Sequence, residues 1–471
     1  MENLKPLNDL KRYLPFKINK DIKSECSEYS EDIDKYSPYS LSDCMTSLLL
    51  LKGELISQVH FMKTGRAQSV YVDRKFAMEL FNRVNYIRIN NKPLILTAYN
   101  NSTSRTHKTK DGFIELTTTL RHLHEEVLTL LDSNPTYDAV AKKFLEKTAD
   151  EWEIEVNAAN IGGQKIRSRE EFRAHPQGKA LLQEDPFKVE KLNDRPAKPF
   201  NPEGRPLEGI KVLDLTLIIA GPSIGNFLAE QGAEVLHIAN PNGERVPSNY
   251  IDTGFGKRCA YLDLNAKEDL QQFWNLLEEA DIYVSSYAPH RLEEKFGITQ
   301  EQVLAKNPDI IMLAHQAFGP NGPWQKHQAW ENIAQAAIGS ALDHGDAERP
   351  FLCPYGFPTD YGTGLMGTIG IIAALINRAE HGGAQKVSVS LARTGMWIQD
   401  QGVGPHPNVD EVIKFGLETV TKSHVSQNQI VTKTNYGEIT HLGPIIQYSE
   451  TPGRWDHPTP ILGEHLPEWL K

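Results

Sequence analysis

The chain of 471 residues has a net charge of -11 and an ordinary globular composition, with 39% hydrophobic and 24% charged residues. This length fits about three domains of ~150 residues, the acidic balance argues against a nucleic-acid partner, and the four scattered cysteines indicate neither a disulfide framework nor a metal site. No signal peptide is visible, and the most apolar segment, residues 365–376, is too short to cross a bilayer. We therefore expect a cytoplasmic protein without a membrane span.

The amino-terminal half begins polar and continues into a small mixed region. Residues 1–40 are predicted to form a polar leader because most of them lack periodicity. A helix followed by a strand is predicted within residues 41–100, and residues 101–190 have the pattern of a small α+β domain. Closely spaced prolines favour extended backbone in residues 191–206, which we interpret as a linker.

Apolar strands alternate with helices in the carboxyl-terminal half. The strand candidates include "IKVLDLTLII", "AEVLHIA", "DIYVSSY" and "PDIIMLAHQ", and helical stretches separate them. Near-continuous apolar strands joined by helices predict a Rossmann-like, doubly wound parallel α/β sheet over residues 207–400. Residues 401–471 show little periodicity and are predicted to be an extended tail that packs on the rest.

Two stretches of the chain resemble each other at a constant spacing. "GRAQSVYV" begins at Gly65 and "GGAQKVSV" at Gly382, and the same spacing sets Asp43 opposite Asp360. Either the chain contains a duplication, or two helix-turn-strand units share residues that their geometry favours. Under the first interpretation, residues 41–100 are a partial repeat of the end of the large domain.

A loop that begins at Ala220 lies between the first strand of the large domain and its helix. Free backbone N–H groups at this point of an α/β sheet can bind a phosphate. A dehydrogenase would need GxGxxG here and an acidic residue after the second strand, where Asn240 stands. A dinucleotide site is therefore disfavoured, and Pro222 is equally explained as the first residue of the helix.

Asp360 precedes a run of glycines and aliphatic residues in "FPTDYGTGLMGTIGIIAAL". An aspartate at the start of a helix commonly caps it. The same location also suits a reactive carboxylate, since Gly362 and Gly364 leave room for a ligand. On the residues alone, capping is the favoured interpretation.

The chain resembles the class III CoA transferases and their acyl-CoA racemase relatives, the CaiB/BaiF type. The resemblance rests on "GIKVLDLTLIIAGP", "LAEQGAEVLHI", "GKRCAYLDLN", "NPDIIMLAHQAFGPNGP", "WENIAQAAIGS" and "PTDYGTGLMGTIGIIAALINR", which follow one another within residues 207–395. It implies that Asp360 attacks an acyl-CoA thioester and passes through an aspartyl anhydride and an aspartyl-CoA thioester. It also implies a catalytic Glu331 near the acyl site, whereas the histidine of the racemases is replaced by Trp330.

The resemblance implies a set of coenzyme A contacts. Several family members have Arg and Lys at the positions of Asn240 and Asn265, so phosphate-pairing charge is missing here. Lys257 and Arg258 either compensate or are ordinary solvated charges. The implied contacts are Ile219, Ala220, Gly221, Pro222, Asn240, Lys257, Arg258, Leu262, Asn265, Ser286, Tyr287 and Gln328.

The order of the domains departs from the family pattern, because the small α+β region precedes the sheet. This order indicates two fused copies, the first without its front sheet and the second without its small domain. The resemblance implies an acyl-CoA and a small carboxylic acid as substrates, no tightly bound cofactor, and an interlocked homodimer or a pseudo-dimer within one chain. A catalytically silent CoA-binding partner of the same fold is the alternative, and the identity of the acids stays open.

Overall fold

The structure is a computed structural model that describes residues 4–94, 102–287, 289–421 and 424–470. Parts of the predicted leader, partial repeat, small domain and tail therefore lie outside the described residues. The mixed α/β class with a largely parallel sheet is confirmed.

The amino-terminal region contains two short helices around one long helix. The leader is not wholly loose, because Leu4, Leu7 and Leu10 are buried and their helix packs on the long one. Their spacing of three residues puts them on one helix face. The elements are α1 (Lys5–Lys11), β1 (Lys23–Cys26), α2 (Leu41–Thr64), β2 (Ser69–Val72), α3 (Arg74–Glu79), β3 (Arg88–Ile89) and β4 (Lys92–Pro93).

The next region has its own three-stranded sheet, its own helices and its own hydrophobic cluster. Ile114, Phe144 and Trp152 lie at the centre of that cluster. Its elements are β5 (Thr106–Lys108), β6 (Phe113–Leu116), α4 (Arg121–Leu131), α5 (Tyr137–Phe144), α6 (Ala149–Ala158), β7 (Gly163–Lys165), α7 (Arg169–Ala174) and α8 (Pro176–Leu181).

The largest region contains the central sheet and the helices on its two faces. Residues 192–200, inside the predicted linker, have no regular structure. The elements are β8 (Lys188–Lys191), β9 (Lys211–Leu215), α9 (Ala220–Ala229), β10 (Glu234–Ala239), α10 (Pro247–Thr253), β11 (Lys257–Tyr261), α11 (Lys267–Glu279), β12 (Ile282–Ser285), α12 (Pro289–Phe296), α13 (Gln300–Lys306), β13 (Ile311–Gln316), α14 (Glu331–Ile338), α15 (Ser340–His344), α16 (Pro358–His381), β14 (Gln385–Ser390) and α17 (Leu391–Asp400).

The central sheet has seven strands in the order β11-β10-β9-β12-β13-β14-β8. All neighbours are parallel except β14 and β8. Helices α9 and α16 pack on one face and α11 and α13 on the other, each with its own hydrophobic core. The strand order reverses between β9 and β12, and ligands commonly bind at the carboxyl ends of the strands at such a point.

The carboxyl-terminal tail contains more regular structure than its weak periodicity predicted. It forms α18 (Val409–Thr421), β15 (Gln429–Thr434), β16 (Gly437–Leu442) and β17 (Gln447–Tyr448). Beyond β17 it is extended, and Trp455 and Trp469 donate hydrogen bonds to the carbonyls of Asn226 and Leu276 on two helices of the central region. The helix was missed because its apolar residues sit among charged ones in a segment that also contains Gly416.

The two stretches that resemble each other in sequence have the same local architecture. Helices α2 and α16 both contain 24 residues, and they pack against each other. Strand β2 lies between a parallel and an antiparallel neighbour, as does β14. A Cβ on Gly53 would lie 2.5 Å from Val70 Cγ1, and a Cβ on Gly370 would lie 2.5 Å from Val387 Cγ1. These shared details support the duplication hypothesis.

Helix α16 is the core helix of the molecule. It is longer than the apolar segment suggested, and it is the one helix of the described residues that is long and apolar enough to span a membrane, but that stretch is entirely buried in the protein. Gly364 and Gly367 face α9, where an added Cβ would approach Ser223 and Ile224 to 2.9 and 2.7 Å. These glycines therefore make room for a neighbouring helix, whereas Gly364 was predicted to make room for a ligand.

Candidate active site

Asp360 lies in the first turn of α16 and lines a cavity of about 1180 Å³. Only 3% of the residue is exposed, so a reactant reaches its carboxylate through this cavity. The carboxyl ends of three sheet strands border the cavity through Leu217, Ser286 and His315. The acid is thus placed where the strand order of the sheet reverses.

The side chain of Asp360 does not cap its helix. Phe357 occupies the N-cap position and makes no side-chain capping bond. Instead, the Glu331 carboxylate of α14 accepts the N–H groups of Thr359 and Asp360, at 3.1 and 2.5 Å. Among the described residues, no group donates a hydrogen bond to the Asp360 carboxylate. Because another residue satisfies the helix terminus, the Asp360 carboxylate is available for chemistry.

Two buried carboxyl groups meet at this point. Burial, followed by the nearby Glu331 charge, raises the pKa of Asp360 well above its usual range. Burial also raises the pKa of Glu331, although hydrogen bonds from Gln335 and from the first turn of α16 oppose that shift. Glu331 does not line the cavity, and it acts on the site through Asp360.

The loop after β9 is held tightly beside the cavity. Ile218 has a φ of 73°, an unfavourable conformation for a β-branched residue. The Leu217 N–H donates to Ser286 Oγ at 2.8 Å. Lys257 Nζ donates to Asp214 Oδ2 and to the Pro222 carbonyl, both at 2.7 Å. The first bond joins the loop to the end of β12, and the Lys257 bonds join the first turn of α9 to β9 and β11. The prediction of a loop that begins at Ala220 is wrong, because Ala220–Ala229 form α9.

A second cavity of about 660 Å³ adjoins the first, and Tyr287 and Arg291 line both. Lys295 also lines the second cavity, one helical turn from Arg291. The two cavities share this wall at the carboxyl edge of the sheet. Two cations beside it can pair with an anionic ligand.

The structure brings some predicted site residues together and separates others. Lys257 and Pro222 line a third cavity, of about 530 Å³, but the ammonium of Lys257 is neutralised by Asp214. Arg258 donates instead to the Glu468 carbonyl at 2.6 Å, and Asn265 bonds Asp263 in its own turn. Asp360, Ala220, Ser286, Tyr287 and Gln328 line the first cavity; Asn240, Leu262 and Tyr287 line the second; Ile219, Gly221, Arg258, Asn265 and Glu331 line none of the three.

Sequence reasoning missed several residues of the site. His315 ends the apolar strand β13, and a polar residue at the carboxyl end of a buried strand is the signal that could have identified it. Arg291 and Lys295 are spaced by four residues in the segment after "SSY", and this spacing puts them on one face of α12. The contribution of α4 could not be foreseen, because it depends on how distant regions pack.

Helix α4 of the small region forms one wall of the first cavity. Leu120, just before the helix, and Leu123 within it line the cavity. His122 pairs with Glu244 of the central region, 3.1 Å away. The site is therefore enclosed by two regions of the same chain.

The described residues offer no metal-binding cluster. They contain no group of three or more His, Cys, Asp or Glu side chains in the arrangement a metal ion needs. All four cysteines are free.

Comparison with known proteins finds similarity over the region that contains the central sheet. Residues 207–414 match the family described as CoA-transferase family III. An acetyl-coenzyme A transferase from Hypoxylon pulicicidum is 35% identical over 212 residues, which cover 44% of this chain and 35% of that protein. A formyl-CoA:oxalate CoA-transferase from Escherichia coli is 33% identical over 198 residues, which cover 40% of this chain and 47% of that protein.

The matches are partial in length. An acyl-CoA transferase from Gibberella moniliformis is 27% identical over 58% of this chain and 50% of its own length. The chain thus spans between a third and a half of the length of these relatives. A solved CAIB/BAIF family protein from Brucella suis has 20% identity and a TM-score of 0.45, covering 56% of this chain and 98% of that one.

Proposed function

We propose that the protein moves coenzyme A between carboxylic acids through a covalent intermediate on Asp360, because residues 207–414 match CoA-transferase family III and the similar proteins include CoA transferases. The observation that carries the proposal is the Asp360 carboxylate, which lines a cavity while Glu331 satisfies the helix terminus. A buried carboxylate that has no structural partner and faces a ligand-sized space can act as a nucleophile.

The proposed reaction proceeds by four balanced acyl transfers. The Asp360 carboxylate attacks the thioester carbonyl, the carbon–sulfur bond breaks, and coenzyme A leaves as a thiolate. The thiolate attacks the Asp360 carbonyl of the resulting anhydride, which releases the first acid and leaves an aspartyl-CoA thioester. The carboxylate of the second acid attacks that thioester, which releases the thiolate and forms a second anhydride. The thiolate then attacks the acyl carbon of the second acid in this anhydride, forms the new acyl-CoA and releases the Asp360 carboxylate. Asp360 is regenerated, and no oxidant or external proton donor is needed.

The second cavity is the proposed site for the nucleotide part of coenzyme A. We propose that the sheet acts as a Rossmann-like platform, with the pantetheine arm running past Ser286 and Tyr287 to Asp360. Arg291 and Lys295 supply positive charge beside that path, where Asn240 and Asn265 supply none. The small α+β region, through α4, then forms the opposite wall.

Glu331 is proposed as a positioning residue for Asp360. Its bonds to two N–H groups orient the first turn of α16, and its charge favours the protonated form of Asp360 until substrate binds. Racemisation stays disfavoured, because Trp330 lines the cavity at the position where the racemase relatives have histidine.

The covalent step is tested by mass spectrometry. After incubation with a panel of acyl-CoA thioesters and treatment with hydroxylamine, we expect a hydroxamate on the peptide that contains Asp360. Asp360→Asn should abolish both the hydroxamate and transfer while it leaves the melting temperature nearly unchanged, because its side chain makes no hydrogen bond with the described residues.

Asp43→Asn is the matched control, since Asp43 holds the equivalent place on α2 but pairs with Arg74. This variant should keep the hydroxamate on Asp360 and keep transfer. Wild-type protein that binds coenzyme A and never forms the adduct would instead be a silent CoA-binding member of the family.

A further inference from the structure

His315 is a half-buried residue that the proposed reaction steps do not use. It lies at the end of β13 and lines the same cavity as Asp360. Both ring nitrogens are shielded from solvent, and neither has a hydrogen-bond partner among the described residues. Buried polar atoms without partners are rare in folded proteins and call for an explanation.

The sheet directs His315 toward the catalytic face. Side chains alternate between the two faces of a strand, so His315 shares a face with Leu313, which belongs to the core formed with α9 and α16. Met312 belongs to the core on the opposite face. His315 is therefore on the side of the sheet that carries Asp360.

The imidazole is neutral under ordinary conditions. Burial lowers the pKa of His315 to about 4, because removing the charged imidazolium from water is unfavourable. A neutral imidazole presents one N–H donor and one acceptor nitrogen. It can donate a hydrogen bond to a carboxylate or an acyl oxygen without forming an ion pair.

We propose that His315 contacts the acid substrate directly, donating its ring N–H to a carboxylate oxygen of the acid beside Asp360. This inference rests on the proposed function. In the free protein the ring N–H of His315 has no hydrogen-bond acceptor among the described residues. In the complex, the carboxylate of the acid substrate would accept that hydrogen bond. A donor of this kind discriminates strongly against molecules that cannot accept its hydrogen bond.

The rest of the lining points to the class of acid. Ala220, Ala317, Trp330 and Leu391 present mainly apolar surface to the cavity. Arg291 is the one permanently charged cation among the described lining residues, and it lies where the two cavities meet and the coenzyme's phosphates are expected. Gln316, Gln325, His327 and Gln328 also line the cavity, but none of them carries a fixed positive charge. A second carboxylate on the acid would therefore lack a cationic partner, so the site should favour monocarboxylic acids with an apolar body.

Steady-state kinetics of two variants test the contact. With acetyl-CoA as donor, His315→Leu should lower kcat/KM for butyrate about tenfold or more, whereas His315→Gln, which keeps an N–H donor, should retain most of it. The melting temperature of His315→Leu should not fall, because the change removes an unsatisfied polar group. Unchanged kcat/KM in His315→Leu would overturn the proposal, and so would equal losses of melting temperature in both variants.

The acid class and an alternative role are tested in parallel. Wild-type protein should use butyrate in preference to succinate, and preference for succinate would contradict the proposed class. In deuterated water, acyl-CoA should gain no deuterium at the α-carbon. Exchange in wild-type protein that His315→Leu loses would mean that the imidazole is a base for proton abstraction, and the donor role would be wrong.

Nitrogen-15 spectra of histidine-labelled protein separate this proposal from the transfer function. The ring signals that disappear in the His315→Gln variant belong to His315. With coenzyme A bound, butyrate should shift these signals in the wild-type protein. A shift without any trapped adduct on Asp360 would support the contact while the transfer function fails. A trapped adduct without a shift would overturn the contact and leave the transfer function intact.

Discussion

At the scale of single residues, the proposed reaction depends on the different roles of Asp360 and Glu331. Glu331 accepts the N–H groups at the start of α16, and Asp360 keeps its carboxylate for the cavity. The sequence alone favoured capping by Asp360, because nothing local revealed that a residue of another helix would satisfy the same N–H groups. That Asp360 is the reactive acid stays a prediction from the resemblance, whereas the position of Glu331 at the same helix terminus could not be predicted from the sequence.

Glu331→Gln should shift the pH dependence of transfer. Next to burial, the Glu331 charge raises the pKa of Asp360, and Asp360 attacks as the carboxylate. Removing that charge lowers the pKa of Asp360, so the acidic limb of the kcat/KM profile should move to lower pH. Rates measured across the acidic range check this, and a limb that stays in place or moves upward contradicts the coupling.

At the scale of elements, the position of Asp360 depends on how closely α16 approaches α9. Gly364 and Gly367 allow that approach, since side chains there would collide with Ser223 and Ile224. The apolar strands and the alternation of strand and helix could be predicted because buried parallel strands have a distinctive composition. Helices α1 and α18 were missed because their apolar residues are few and are separated by charged ones.

Gly367→Ala should separate the two helices and destabilise the fold by about 1–3 kcal/mol, the usual range for overpacking a core. The added Cβ would lie 2.7 Å from Ile224 Cδ1. Urea unfolding measures the loss. Ile224→Val in the same chain removes Cδ1 and should recover part of it. Gly112→Ala is the control, because its Cβ would meet only Ala149 at 4.0 Å, and a loss equal to that of Gly367→Ala would contradict the packing argument.

At the scale of the whole molecule, the two stretches that resemble each other in sequence pack together within one chain. Helix α2 packs on α16, and the α4 region closes the cavity of the same chain. The resemblance implied either a homodimer or a pseudo-dimer, and this packing favours the pseudo-dimer. Such long-range pairing could not be predicted from periodicity, since only the weak repeat hinted that α2 and α16 are equivalent.

We expect a single chain of 53.0 kDa to contain one complete site. Light scattering after size-exclusion chromatography measures the mass, and the hydroxylamine adduct measured on the same fractions gives the number of sites. A monomer that forms one adduct fits the pseudo-dimer. Adduct confined to fractions of twice that mass would show that the site needs a second chain.

The ion pair between Asp43 and Arg74 suggests how the two copies of a duplicated domain can come to differ in reactivity. Asp43 and Asp360 lie in the first turns of α2 and α16, and the neighbouring side chain determines whether each carboxylate is paired. The Arg74 guanidinium binds the Asp43 carboxylate in an ion pair. The Glu331 carboxylate instead repels the negative charge of Asp360 and does not pair with it. In a duplicated domain, one substitution beside the acid can therefore remove its reactivity, while that copy of the domain still stabilises the fold.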